Sequence, residues 1–305
     1  MDTLTHALSG ALIARATARK DAPPRSIPRR VAAGFFACAA PDLDFIIGTI
    51  GPVEYLLTHR GVTHSLVLLP AWALLYSWIL AKVLREPGGW RALYGVTALA
   101  LFTHIVGDLI TSFGTMIFAP FSDWRAAIGT TFIIDLWFSG IIVAGLAFSA
   151  FLYRTRVPAV AASVVLAGYV GFQYVQQQKA LDFGAEYARS LGLQKTQTTV
   201  HPRPVSPFNW IARLDAAYMP LKHAIWVTRP RYGATDEALI REAWSSAPLA
   251  FFRWFADLPA FDGFSQGSTC VWFTDLRFLT PGRDTMPFRY RVCRERSGDA
   301  WRLVL

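Results

Sequence analysis

The sequence predicts an all-α polytopic membrane bundle, about five spans with a short N-terminal helix, followed by a small α+β domain outside the membrane. Three observations carry this expectation. Only 17% of the 305 residues are charged, against 53% hydrophobic, where a soluble domain carries about a quarter charged residues. Apolar runs long enough for the ~20 residues that a bilayer demands follow one another through the first half of the chain. Beyond about residue 176 polar and charged residues return, and short β-type runs replace the long ones.

Taken in order, residues 4–16 are apolar but too short to cross, and read as a tilted, re-entrant or interfacial helix. The chain opens with Asp2 and His6 where a signal peptide needs a basic segment, so no cleavable leader is expected. The spans are residues 31–50, 62–84, 92–118, 132–153 and 157–175. His201 to Pro207, with three prolines, reads as an extended linker. After it come strand-like runs at 224–228, 269–278, 288–293 and 301–305, interrupted by a helix at 236–246 capped by Thr235 or Asp236. The boundary falls between a membrane-embedded unit, residues 1–178, and an extramembrane unit, residues 179–305.

The net charge of +9 would suit nucleic acid if it formed a patch on a polar domain. Instead the basic residues fill the gaps between apolar runs, so no nucleic-acid partner is expected and the lipid bilayer is. Arg15, Arg19, Lys20, Arg25, Arg29 and Arg30 precede the first span; Lys82, Arg85 and Arg91 mark the next turn on that side, and Arg154 and Arg156 the one after. The opposite loops hold Arg60 and Arg125. By the positive-inside rule the first group is cytoplasmic, and an odd number of spans places the C-terminal unit in the periplasm of a bacterial inner membrane. There Cys270 and Cys293, on neighbouring strand candidates, are permitted a disulfide, the alternative being two unpaired core thiols. Cys38 reads as a small buried hydrophobe.

Ionisable groups in lipid are costly and mark function. The apolar runs contain His6; Asp42 and Asp44 in Pro-Asp-Leu-Asp; His59, Arg60 and His64 in His-Arg-Gly-Val-Thr-His; His104 and Asp108 in His-Ile-Val-Gly-Asp; and Asp135. The orientation puts them all toward the outer side, which scattered structural residues have no reason to share. His104 and Asp108, four apart, project from one helix face and offer one neutral nitrogen and one anionic oxygen, a set that zinc or manganese accepts. The candidate ligands are His6, Asp42, His59, His64, His104 and Asp108. Asp42 and Asp44, two apart, point differently, so one faces the metal while the other binds a second ion or takes a proton. Asp42 as ligand and Asp44 as base is the assignment adopted. Arg60 is the candidate for holding an anionic substrate oxygen, with snorkelling to lipid phosphate as the alternative. Asp135 also suits a helix N-cap. Gly263-Phe-Ser-Gln-Gly267 matches a nucleophile elbow, but no histidine follows His223 and a strand-like run comes next, so Ser265 reads as part of a turn.

Met-Asp-Thr-Leu-Thr-His-Ala-Leu-Ser-Gly, Pro-Asp-Leu-Asp, His-Arg-Gly-Val-Thr-His-Ser-Leu and Thr-His-Ile-Val-Gly-Asp together resemble the bacterial YdjM-like family of inner-membrane-associated metal-dependent hydrolases. The resemblance covers about residues 1–150. More distantly the pattern is similar to the zinc-dependent phospholipase C and P1 nuclease group. That likeness implies His6, His64, His104 and Asp108 as ligands, with Asp108 bridging, and a Pro-Asp-Leu-Asp carboxylate as ligand or base. The further His/Glu set of a three-zinc site is missing, so one or two ions are expected. The expected function is metal-dependent hydrolysis of a phosphoester in a lipid-like or envelope substrate. Two alternatives stay open: an ion or proton pathway in a transporter, and a structural or regulatory protein whose metal staples helices.

Overall fold

In a computed structural model the described residues are 1–23, 25–152, 155–190, 198–204, 206–214, 234–265, 270–278, 287–294 and 300–304. The chain divides into two compact units, one of Met1–Gln177 with Pro204–Pro207, the other of Gln178–Arg203 with Phe208–Leu305.

The first unit is helical. Helix α1 (Thr3–Ala16) starts where Asp2 accepts a hydrogen bond from the Thr5 amide at 3.0 Å, satisfying an amide that would otherwise lack a partner. It packs along α2 (Ser26–Ala39). At their crossing a Cβ on Gly10 would lie 2.2 Å from the Gly34 carbonyl oxygen, and one on Gly34 2.4 Å from that of Gly10. The two backbones therefore touch, the close approach that small residues permit between helices in lipid. Helix α2 runs into a 3-10 segment, Ala40–Thr49, with Pro41 in its first turn. Asp42 and Asp44 are buried there while Leu43 and Phe45 are exposed. Helix α3 (Pro52–Thr58) ends at His59, Arg60 takes the left-handed conformation at φ 60°, and a 3-10 turn, Val62–His64, leads toward α4 (Leu69–Val83). Helix α5 (Gly89–Leu109) packs against α4, α2 and α1. Helix α6 (Leu136–Ala147), prolonged by a π-helical turn at Phe148–Leu152, and α7 (Val157–Ser190) complete the unit. Away from the polar cluster described below, Ala14, Ala37, Leu80, Leu93 and Ala100 form an apolar core. Phe36, Ile79, Val143, Val164 and Phe172 face outward, as lipid-facing side chains do.

Among the described residues three helices are long and apolar enough to cross a membrane: Ser26–Thr49, Gly89–Leu109 and Val157–Ser190. A fourth span results if Pro52–His64 and Leu69–Val83 are counted as one, although they meet at 82°. The count is three to four rather than the five expected. The expected span at 62–84 breaks between His64 and Leu69, where Ser65 Oγ accepts from the Val67 and Leu68 amides and the α-helix starts only at Leu69. The one at 132–153 yields only Leu136–Phe151, a shorter apolar helix that at ~1.5 Å per residue falls short of a ~30 Å hydrocarbon core. Asp135 caps α6, accepting from the Phe138 amide at 3.0 Å.

The second unit is α+β with two sheets. Strands β1 (Thr198–Pro202) and β2 (Trp210–Leu214) pair antiparallel, so part of the expected linker is a strand. Helices α8 (Ala234–Ser245) and α9 (Ala250–Phe255) precede an antiparallel sheet of β3 (Pro259–Phe264), β4 (Cys270–Asp275), β5 (Tyr290–Arg294) and β6 (Trp301–Val304), in that order. Cys270 and Cys293 face each other across β4 and β5 and are disulfide-bonded. The run expected at 224–228 lies outside the described residues. Ser265 follows β3 and its amide bonds the Cys270 carbonyl, which makes it part of the β3–β4 connection. Buried Arg277 reaches Asp275 through Nε at 2.8 Å, Asp257 through Nη1 at 3.0 Å and the Phe255 carbonyl through Nη2 at 2.7 Å. Burial pushes its pKa down, but the two carboxylates outweigh that and hold it above the ordinary arginine value.

Candidate metal centre

His6, Asp42, His64, His104 and Asp108, all from the apolar runs, meet around the last turn of α5. His104 and Asp108 share its inner face, both fully buried. The 3-10 segment after α2 brings Asp42, the broken turn after α3 brings His64, and the first turns of α1 bring His6. His64 Nε2 lies 3.3 Å from Asp108 Oδ2 and 3.7 Å from Asp42 Oδ1. His104 Nε2 lies 3.4 Å from Asp108 Oδ2 and 3.7 Å from Asp42 Oδ1. Ligands held ~2.0–2.2 Å from a tetrahedral zinc are separated by roughly 3.3–3.6 Å along each edge, so these four separations are close to edges of such a set.

The two histidines are oriented for it. His104 Nδ1 donates to the Cys38 carbonyl at 2.6 Å, which leaves the lone pair on Nε2. Thr63 Oγ1 donates to Asp44 Oδ2 at 3.0 Å, so it accepts from His64 Nδ1 at 2.9 Å, and His64 too presents an unprotonated Nε2. Supports of this kind on the second nitrogen fix tautomer and ring orientation in metal-binding histidines. Four buried atoms here have no hydrogen-bond partner: His64 Nε2, His104 Nε2, Asp108 Oδ2 and, on Asp42, Oδ2 rather than the Oδ1 that the two imidazoles approach. Each such buried atom costs about 1–3 kcal/mol, and together they approach the whole stability of a domain, about 5–15 kcal/mol. Protonating both imidazoles would place two cations with ring centroids 4.7 Å apart. A divalent cation would offset His104 Nε2 and Asp108 Oδ2 with one charge centre; the group close enough to share an ion is His6, Asp42, His104 and Asp108, and His64 lies beside it, 3.3 Å from Asp108 Oδ2. The donor set, two imidazole nitrogens and two carboxylate oxygens, fits zinc and also manganese.

Asp108 is held by its other oxygen. Oδ1 accepts from the Met1 amino group at 2.5 Å and from Arg60 Nη2 at 2.9 Å, and His6 Nε2 stands 2.9 Å away. The His6 ring stacks on His104 at 3.8 Å, and His6 joins Asp42, His104 and Asp108 in one group able to hold a metal; His6, Cys38 and His104 form another. Gly107 makes room for His6, since a Cβ there would meet its Cε1 at 3.1 Å.

Three expected site residues take other positions. His59 gives its Nδ1 to Asp44 Oδ1 at 2.7 Å and stacks on Tyr55, so it supports Asp44. Asp44 also accepts from the Arg60 amide and Thr63; with these donors satisfying it, it is poorly placed as a base. Arg60 is buried at 1% exposure, against Asp108 and Thr111 and over the Phe113 ring, so it neither snorkels nor points at open space. Asp135 lies apart, bonded by Tyr169 and Gln173. Thr63, Thr111, Gly107 and the Cys38 carbonyl were not singled out in the sequence. Thr63 and Gly107 sit inside the two histidine motifs, which is the signal that could have found them.

Across 184 residues, 58% of this chain and 55% of the relative, the sequence is 27% identical to a protein of Bacillus subtilis (strain 168) described as uncharacterized protein YfhP. The chain thus spans about half the length of the curated relative it matches. No solved structure matches. The family model described as YdjM inner membrane protein matches residues 1–180, which takes in every segment that builds the cluster. The chain belongs to the YdjM inner membrane protein family.

Proposed function

We propose that the chain is a membrane-embedded metal-dependent hydrolase that cleaves a phosphoester in a lipid-like substrate. The observation that carries this reading is the buried group of His6, Asp42, His104 and Asp108, close enough to share an ion, with His64 beside it. A bound divalent cation supplies Lewis acidity at a phosphoryl oxygen and makes water a nucleophile near neutral pH. The chain's own residues do the rest. His104 and His64 are held in register by the Cys38 carbonyl and by Thr63. Arg60 and the Met1 amino group neutralise Asp108 from behind. Asp42, the more exposed of the two central carboxylates at 6% against 0% for Asp108, is the group placed to take a proton, with Asp44 as a positioning residue through Thr63. Leu43, Val62 and Phe102 on the same segments are exposed, an apolar surround that suits a substrate whose tail stays in lipid. The neighbouring core on α1, α2, α4 and α5 is apolar, which favours a hydrolase over an ion pathway continuing through the bundle. The likeness to zinc-dependent phospholipase C rests on the motifs alone.

The test is metal content and phosphodiester turnover of the purified full chain, wild type and His104→Ala. Stoichiometric metal and turnover in the wild type, both lost in the variant, are expected. Metal-replete wild type without turnover on lipid phosphodiesters defeats the hydrolase reading and leaves a structural metal.

We further propose that the second unit is periplasmic, as an odd count of three spans would leave it and four would not; the Cys270–Cys293 disulfide supports this, since such bonds persist in oxidising compartments. Thiol alkylation of protein taken directly from cells should modify these cysteines only after reduction. Modification without reductant would place the unit on the cytoplasmic side.

A further inference from the structure

At the far end of α1 from His6, a cavity of about 730 Å³ opens between the ends of α1 and α2, the π-helical turn after α6 and the start of α7. Its size falls within the ~300–1,000 Å³ of small-ligand sites. Arg15, Arg19, Lys20 and Arg156 line it, and no acid is among its described lining residues. The two arginines nearest the helices are built in. Arg15 donates through Nε to buried Ser149 at 2.9 Å, and Arg156 through Nη1 to the Ala18 carbonyl at 2.8 Å. Both are half-buried, and among the described residues neither forms an ion pair; only Arg19 has an acid, exposed Asp21. Val31, Leu146 and Val157 complete the wall with apolar surface.

Partly buried guanidinium groups held by neutral partners lack the counter-charge that burial calls for. Arginine matches phosphate oxygens with paired donors, and a basic pocket beside apolar helix surface at the cytoplasmic face suits an anionic lipid head group. We propose that this cavity binds the phosphate of an anionic phospholipid, its acyl chains lying along Val31 and Val157. The site is separate from the metal centre: Arg15 follows His6 by nine positions on α1, ~13 Å along the axis. It does not depend on the hydrolase reading, and takes from the sequence only the cytoplasmic side of residues 15–30.

The test uses the full chain in neutral detergent, with native mass spectrometry of retained phosphatidylglycerol or phosphatidylcholine, and inorganic phosphate as competitor. Retention of phosphatidylglycerol should exceed that of phosphatidylcholine by at least about tenfold, fall about tenfold in Arg15→Gln/Arg156→Gln, and fall less than about twofold in Arg91→Gln, an exposed cation outside the cavity; these contrasts correspond to about 1.4 kcal/mol for each tenfold. The Arg15→Lys/Arg156→Lys protein should keep most of the binding. If the double Gln protein does not fold, the exposed pair Arg19→Gln/Lys20→Gln decides, with a loss of about threefold expected. Equal retention of both lipids, an equal loss in Arg91→Gln, no loss in the Gln variants, or displacement of the lipid by millimolar inorganic phosphate would each overturn the proposal, the last by showing a free-phosphate site.

Discussion

The cluster around Asp108 in the first unit and the cluster around Arg277 in the second both hold charges away from water, yet they are completed differently. Each Arg277 side-chain nitrogen has an acceptor within 3.0 Å, from Asp275, Asp257 or the Phe255 carbonyl. The network closes on itself, and nothing outside the chain is needed to finish it. Around Asp108 one carboxylate oxygen is crowded by Met1, His6 and Arg60 while the other faces two imidazole nitrogens that also lack partners. Burial and charge alone therefore do not distinguish a structural network from a site. Convergence of open atoms does: unpartnered buried atoms such as Thr97 Oγ1 and Thr274 Oγ1 occur elsewhere, but around Asp108 two open imidazole nitrogens lie within 3.4 Å of one open carboxylate oxygen.

The sharpest way to break that contrast is to delete the central charge of each. Removing one partner of a buried ion pair costs about 3–5 kcal/mol. Arg277→Met should destabilise the second unit by an amount of that order, seen as an earlier thermal transition, and leave metal content unchanged. Asp108→Ala should lower metal content to below about a tenth of wild type, because it removes a ligand and exposes the site to the unpaired charge of Arg60. Equal metal loss in both variants would show that the difference between open and closed networks carries no functional meaning.

A smaller effect probes the support rather than the ligand. Thr63→Val keeps the side-chain shape but removes the hydroxyl that receives His64 Nδ1 and donates to Asp44. Supporting groups of this kind are worth about 10–100-fold in metal affinity, so the apparent Kd measured against a competing chelator should rise by about that factor, with a loss of stability of about 1–3 kcal/mol from the unpaired His64 Nδ1. An unaltered Kd would remove Thr63 and Asp44 from the support of the site.

How much of this was legible in the sequence follows from which groups carry it. His104 and Asp108 are readable because four residues on a helix return to one face, and Asp42 because a carboxylate in an apolar run is anomalous. The roles of His59 and Asp44 were not readable, since whether a buried carboxylate meets a metal or a second histidine depends on how the turn after Thr58 folds back. The Cys38 carbonyl is invisible in principle: any residue offers one, and only the packing of α2 on α5 brings it to His104. In the fold, the apolar runs were legible but their continuity was not, because the break between His64 and Leu69 is a backbone event that hydropathy averages over. Strand β3 was missed because the run from Gly263 to Gly267 reads as a turn, whereas Gly263 and Phe264 still pair with β4 past a bulge between Phe261 and Gly263.

The smallest predicted effect concerns the least settled position in the cluster, His6. In Gly107→Ala the new Cβ would lie 3.1 Å from His6 Cε1 and 3.4 Å from Met1 Sδ, so the ring must retreat by a few tenths of an ångström. It can do so only by tilting against His104, on which it stacks, while His104 stays anchored to the Cys38 carbonyl. A strained rotamer costs about 0.5–1.5 kcal/mol. If His6 acts through Asp108 Oδ1, as its 2.9 Å contact suggests, most of that strain falls on stability, and metal affinity should change by no more than about threefold, under 1 kcal/mol. A loss of tenfold or more in the chelator competition, with the thermal transition held, would instead make His6 a direct ligand alongside His64 and His104, because only a metal–nitrogen bond is that sensitive to a displacement so small.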